Sequence, residues 1–289
     1  MRPAARTRPD PLPAPYTPGV GSLLAIADRP RSYVAVRGPQ AEDYLQRMVS
    51  NDVAALGVGD ACDALLLTPK ARVIAPVRVL RRAADDFLLL TEAELGEVVR
   101  DHLARFRFAA RAEIEREEHA SYLLLGAGAT APEGALALPN GDYATPALEV
   151  LDARRPDDAA SLEAEELERL RIEAGTPVYG HEIDDRVLPA EAGLVERAVS
   201  LTKGCYPGQE PVARLHYRGH ANRSLRRLRL DAAEPPEADT EIRFGEKVVG
   251  RVTSAARANG GVVALAYVRT EVPSEAELAI GDATATPLH

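Results

Sequence analysis

The chain has 289 residues, 46% of them hydrophobic and 27% charged, with no tryptophan and only two cysteines. That length is enough for two or three domains with cores of their own. Cysteines as far apart as Cys62 and Cys205 exclude a disulfide framework, a self-contained zinc site and an Fe–S ligand set.

The net charge of −9 argues against general nucleic-acid binding, and no apolar run is long enough for a membrane-spanning helix. The sparse, unpaired cysteines suit a reducing, cytoplasmic compartment. Residues 1–18 are rich in arginine and proline and contain no apolar stretch, so they read as a disordered leader and not as a secretory signal.

Tyr33–Arg37 reads as a strand, followed by a helix that Gly38-Pro39 starts and whose apolar face is Tyr44, Leu45, Met48 and Val49. Strands are expected at Ala61–Leu67, Val73–Leu80 and Phe87–Leu90, with Pro69-Lys70-Ala71 as the turn between the first two. Thr91 and Glu94 have the spacing of a capping box, predicting a helix through Phe106 with Leu95, Val98, Val99 and Leu103 inward.

Further strands are expected at Ala112–Arg116, Tyr122–Leu125, Ala135–Leu138 and Ala147–Leu151. Ser161 is the expected cap of a helix that runs through Ala174 and stops at Gly175. Neither a G-x-G-x-x-G after a strand nor a P-loop is present, which removes the usual nucleotide fingerprints.

From Ser224 onward, segments rich in β-branched residues alternate with turns: Leu225–Leu230, Glu241–Phe244, Lys247–Thr253, Val262–Val268 and Glu277–Ile280. A small, closed or nearly closed antiparallel barrel accounts for this tail. The overall reading is an α+β protein of four pieces: the leader, residues 19–54 with 120–200, residues 55–119 with 201–222, and a barrel over 223–289.

Charge is uneven. Residues 201–230 carry Lys203 and six arginines against Glu210 alone, +7 − 1 = +6, which leaves −9 − 6 = −15 for the rest of the chain. Such a basic island points either to an anionic ligand or partner or to a strand edge protected by arginines.

The most informative segment is Lys203-Gly204-Cys205-Tyr206-Pro207-Gly208-Gln209-Glu210. Its two glycines and proline predict a constrained loop, on which a thiol can be exposed and a neighbouring lysine favours the thiolate. Gln209-Glu210 is expected to fix the loop by hydrogen bonds to its own backbone. His216 and His220 offer a nearby base; Cys205 with these two histidines is not expected to hold a metal. Cys62, at a strand start, reads as buried and inert.

This octapeptide resembles the K-G-C-Y-x-G-Q-E signature of the YgfZ-type folate-binding proteins, relatives of the glycine cleavage T-protein (aminomethyltransferase). The likeness continues in GPQAEDYLQRMVSNDV (38–53), LLLTPKARVIA (65–75), RIEAGTP (171–177), Leu188-Pro189 with Glu191-Ala192, and VARLHYRGHAN (212–222). It implies mixed α/β domains around a central folate pocket, ending in a small antiparallel barrel. It also implies tetrahydrofolate, or a polyglutamylated or one-carbon derivative, as cofactor. The family is implicated in assembly or repair of Fe–S clusters in certain enzymes, including one that modifies tRNA, so Fe–S client proteins or assembly factors are the implied partners.

By the same resemblance, Glu173 is the carboxylate that accepts the paired N–H donors of the pterin edge. Tyr179, Tyr206 and Tyr217 are candidates to wall the aromatic linker, and Arg186 and Arg214 to meet the glutamate tail. Cys205 and Lys203 are the candidate chemical residues. The sequence departs from the T-protein at Ala75-Pro76, where the enzyme has a catalytic acid, so glycine-cleavage chemistry is not expected. Two other functions stay open: a folate-dependent one-carbon transferase, and an RNA-binding module using residues 214–229.

Overall fold

The computed structural model describes residues 24–157 and 159–288, so the expected leader lies outside the described residues. Strand β1 (Ala25–Ala27) is followed by β2 (Arg31–Arg37) and helix α1 (Ala41–Met48). Then come β3 (Ala61–Leu67), β4 (Val73–Ala83), β5 (Asp86–Glu92), α2 (Gly96–Phe106) and β6 (Glu113–Glu117). Strands β2 to β6 form one antiparallel sheet in the order β3-β4-β5-β2-β6.

Period-two alternation decides what each face of that sheet covers. Val34 and Val36 of β2 pack with Leu45, Val99 and Leu103 from α1 and α2. Tyr33 and Ala35, between them, turn to the opposite face and meet Leu138 and Leu151 of a second sheet. This explains a strand that is apolar on both sides.

The second sheet comprises β7 (Ser121–Leu125), β8 (Leu136–Asn140), β9 (Ala147–Leu151), β10 (Ala160–Ser161) and β1, in the order β10-β1-β7-β9-β8. Helix α3 (Ala164–Ala174) lies against it through Leu170, which packs on Leu123 and Leu125. Gly175 ends that helix at φ 78, the left-handed C-terminal position that glycine favours. A short α4 (Val195–Ala198) and α5 (Gln209–Arg218) lead into the tail.

The tail is the expected barrel. Strands β11 (Arg223–Leu230), β12 (Glu241–Phe244), β13 (Lys247–Ala258), β14 (Gly261–Arg269), β15 (Leu278–Ile280) and β16 (Ala283–Pro287) close in the order β11-β14-β13-β12-β15-β16. The sixth strand was not expected from sequence. It completes the cylinder by pairing Leu230 with Ala285 and Leu228 with Pro287, which leaves the barrel no open edge.

Three other expectations change. Residues 31–48 join β3–β6 and not residues 120–200, because β2 is paired on both sides, with β5 and β6. Thr91 does not cap α2: it lies in β5 and its hydroxyl donates to the Pro76 carbonyl at 2.8 Å. Ser161 likewise sits in β10, and α3 starts after Glu163.

Candidate functional site

The octapeptide is only partly a loop, since Gln209 opens α5 and Gly208 is its N-cap residue at φ 83. Gly208 is pressed against the turn after β3. A β-carbon there would lie 2.7 Å from the Thr68 carbonyl oxygen and 3.0 Å from the Ala71 α-carbon. Ala71 itself has φ 57, a left-handed backbone that a non-glycine residue seldom adopts. Gln209 Nε2 donates to the Lys203 carbonyl at 3.4 Å, the expected self-bracing of the segment.

Lys203 is buried, and its ammonium does not serve the neighbouring thiol. Nζ donates to the carbonyls of Val49 and Asn51, each at 2.7 Å, and lies 5.3 Å above the Tyr206 ring. Burial lowers its pKa to about 8, while Asp52 acts in the opposite direction. Lysine 203 thereby ties the signature segment to the end of α1, across 152 or more residues of sequence.

Cys205 is exposed, and its side chain makes no hydrogen bond among the described residues. Cys62 is half-buried, and burial together with the Asp63 charge pushes its thiol up to about 12. Tyr206 turns inward into a core cluster with Leu65, Val73 and Tyr267, and its hydroxyl is buried without a partner.

A small cleft of about 60 Å³ lies against β3, β4 and β5, covered by the Asp142 loop, the 176–183 segment and α4, a feature the sequence did not point to. Its apolar surface comes from residues such as Leu65, Pro76, Val77 and Ile183, and its polar edge from Arg29, Arg31, Arg78 and Arg197 with Asp63, Glu92 and Asp142. Four arginines against three carboxylates give the lining +4 − 3 = +1.

The cleft's charges are cross-braced. Arg197 bonds Asp63 and Asp142, each at 2.7 Å. Arg29 reaches Asp142 at 2.6 Å and Glu92 at 3.2 Å, and Arg78 Nε donates to Asp63 at 2.9 Å. Just behind the lining, Arg31 donates to Glu149 at 2.9 Å. Burial works to raise the Asp142 and Asp63 pKa values, but the arginines outweigh it and hold both well below the usual carboxylate range. Asn51 links this cleft to the octapeptide, since its backbone oxygen accepts from Lys203 and its side chain donates to the Asp63 carbonyl at 2.7 Å.

The residues expected to bind folate are not gathered in the cleft lining. Glu173, near the end of α3, pairs with Arg169 at 2.6 Å. Tyr179 is half-buried between two core clusters. Arg186 is exposed and holds Asp184. Arg214 and Tyr217 lie exposed on α5. Ala75 is fully buried, and Pro76 faces the cleft. The lining arginines and acids went unread because each pair is distant in sequence; Arg29 and Asp142 are 113 positions apart.

No family model matches the chain. A tRNA-modifying protein YgfZ from Edwardsiella ictaluri is 32% identical over 292 residues, spanning 86% of this chain and 85% of the relative. An aminomethyltransferase from Streptomyces avermitilis is 26% identical over 281 residues, spanning 81% of this chain and 75% of that protein. The crystal structure of glycine cleavage system aminomethyltransferase T from Bartonella henselae superposes with a TM-score of 0.81 at 19% identity, over 93% of this chain and 85% of that one. That last likeness establishes the fold: one antiparallel and one mixed sheet with helices, and a terminal barrel. The identity over most of both lengths, together with the octapeptide and its bracing, places the chain in the YgfZ family of the aminomethyltransferase superfamily.

Proposed function

We propose that this protein binds tetrahydrofolate and supports assembly or repair of Fe–S clusters in client enzymes, a tRNA-modifying enzyme among them. The observation that carries the reading is the cleft against β3–β5, which combines apolar walls, a net positive edge and carboxylates. A reduced folate needs all three: an apolar surface for its rings, acceptors for its N–H edge, and cations for its anionic tail. The residue types present suit that ligand, and the cleft, at about 60 Å³, must open to take it. Arg29 and Arg197 are proposed to meet the tail. Glu173 and Tyr179 lie outside the lining and remain the proposed pterin acceptor and ring wall, which requires the ligand to reach beyond the cleft and Glu173 to exchange its bond to Arg169.

Bound folate would supply a one-carbon carrier or a reduced pterin. Aminomethyl transfer is not part of the proposal. Each carboxylate that lines the cleft is already bonded to an arginine, and Ala75-Pro76 offers no base. Cys205 is proposed as the thiol that meets the client, since it is exposed on a segment braced from behind by Lys203 and Gly208. A single thiol does not hold a cluster, so the cluster belongs to the client.

Isothermal titration with tetrahydrofolate tests the reading. Saturable binding is expected, weakened about 5- to 150-fold by Glu173→Ala, equivalent to ~1–3 kcal/mol for unpaired pterin donors. An unchanged constant removes Glu173 from the site, and absence of binding to the unaltered protein removes the folate reading.

A further inference from the structure

The basic island divides into two groups that the sequence does not distinguish. Four of its arginines hold the barrel wall to its surroundings. Arg223 forks Glu191 at 3.2 Å. Arg226 donates to the Pro273 carbonyl at 2.9 Å, Arg227 to the Glu173 carbonyl at 2.9 Å, and Arg229 to the Asn259 carbonyl at 3.1 Å. Arg214 and Arg218 are different: both are exposed on α5, and neither has a hydrogen bond or ion pair among the described residues.

Helix geometry places these two free guanidiniums together. Residues four apart share a face, about 5–6 Å between β-carbons, and Tyr217, three residues after Arg214, joins them. Tyr217 is 66% exposed, and the His216 ring braces it edge-on at 4.9 Å. Val212 is buried beneath the helix and fixes which side faces out. Past the helix end, an open groove is lined by Glu191, His220, Asn222, Arg223, Arg269, Thr270 and Glu271, and its two arginines are paired with its two glutamates, so it adds no free cation to the helix face.

We propose that this face of α5 binds single-stranded RNA. Phosphates meet Arg214 and Arg218, and a base stacks on Tyr217, which flanks Arg214. Base–aromatic stacking flanked by backbone-tracking cations is the general mode for unpaired strands. Arg214 and Arg218 are the two cations of the island left without a partner among the described residues, on a chain of net charge −9, which confines the contact to this place. A lipid surface fits less well, because Tyr217 is the single large apolar group exposed on the helix. The inference stands apart from folate binding and from Cys205.

The test is fluorescence anisotropy of a labelled, short single-stranded RNA against the full chain without folate, at about 50 mM and about 200 mM salt. Binding is expected to be salt-dependent and weaker for a duplex of the same sequence. The double variant Arg214→Ala, Arg218→Ala should flatten the log–log salt slope by about 1.4, roughly 0.7 for each lost phosphate contact. Tyr217→Ala should weaken binding about 5-fold or more, with Tyr217→Phe restoring it. Arg229→Ala should leave the affinity unchanged. The proposal is overturned if RNA does not bind, or if the α5 variants bind it as the unaltered chain does. It is also overturned if phosphatidylglycerol vesicles, and not RNA, are retained through these residues.

Discussion

Gly208 and Thr68 meet across a gap that admits no side chain: a β-carbon on Gly208 would stand 2.7 Å from the Thr68 carbonyl oxygen. The contact joins the two segments richest in family likeness, the turn after β3 and the octapeptide before α5. Gly208→Ala must both adopt a left-handed backbone and push that carbonyl away, at a cost of about 2–4 kcal/mol. Gly204, four residues earlier, has nothing within 4 Å of its would-be β-carbon. Its alanine variant should therefore stay within about 0.5 kcal/mol of the parent. Urea unfolding of both variants checks the pair; equal stabilities would mean that the octapeptide does not bear on the turn.

Much of this was legible because local rules governed it. The barrel strands followed from β-branched segments between turns, and Gly175 stopped α3 as a glycine at a helix end does. What failed did so where a distant partner overrode a local signal. The Thr91–Glu94 spacing is a good capping box, yet the Thr91 hydroxyl is taken by Pro76 of the adjacent strand. Strand β16, ATATP, has too little apolar mass to announce itself, and it forms because β11 and β15 offer it two edges. Lys203 seemed placed to activate Cys205, and only the fold shows its ammonium spent on Val49 and Asn51. The cleft is the extreme case, an ion network assembled from both sheets and α4 with no local pattern to betray it.

The network predicts an acid response. The Asp142 pKa is held below its unfolded value of about 3.9, chiefly by Arg29 acting against burial. A depressed carboxylate pKa stabilises the fold above the unfolded value, and that contribution is lost as pH falls through the folded value. Asp142→Asn leaves Arg29 and Arg197 partly unpaired and should cost about 3–5 kcal/mol near pH 7. The difference from the unaltered protein should shrink steadily below about pH 4, where the unfolded parent takes up a proton at this position while the folded carboxylate stays charged. Stability curves that stay parallel down to acid unfolding would show that this carboxylate does not hold the cleft together.

Tyr206 carries an opposite expectation. Its ring packs in a core cluster while its hydroxyl is buried without a hydrogen-bond partner, and burial pushes the phenol pKa up to about 12. Deleting an unsatisfied buried group is favourable, so Tyr206→Phe should gain about 1 kcal/mol and keep the ring beneath the Lys203 ammonium. Thermal melting should show the gain, with tetrahydrofolate affinity unchanged. A variant less stable than the parent would reveal a partner for the hydroxyl; a loss of affinity alone would make that partner the ligand.

The two cysteines should separate cleanly in reactivity. A thiolate is the reactive form, and Cys62 is kept from it by burial and by Asp63, which together lift its pKa to about 12. Cys205 is exposed, and no hydrogen bond among the described residues occupies its sulfur. Brief alkylation at neutral pH, followed by peptide mapping, should label position 205 well before position 62. The octapeptide is held by Lys203, Gly208 and Gln209 and not by the thiol, so Cys205→Ala should melt within about 0.5 kcal/mol of the parent and retain tetrahydrofolate affinity. In cells lacking this protein, the same variant should fail to restore Fe–S enzyme activity. Earlier labelling of Cys62 would contradict the burial argument, and full complementation by Cys205→Ala would reduce the segment to a scaffold whose purpose is to pin α5 and the end of α1 beside the cleft.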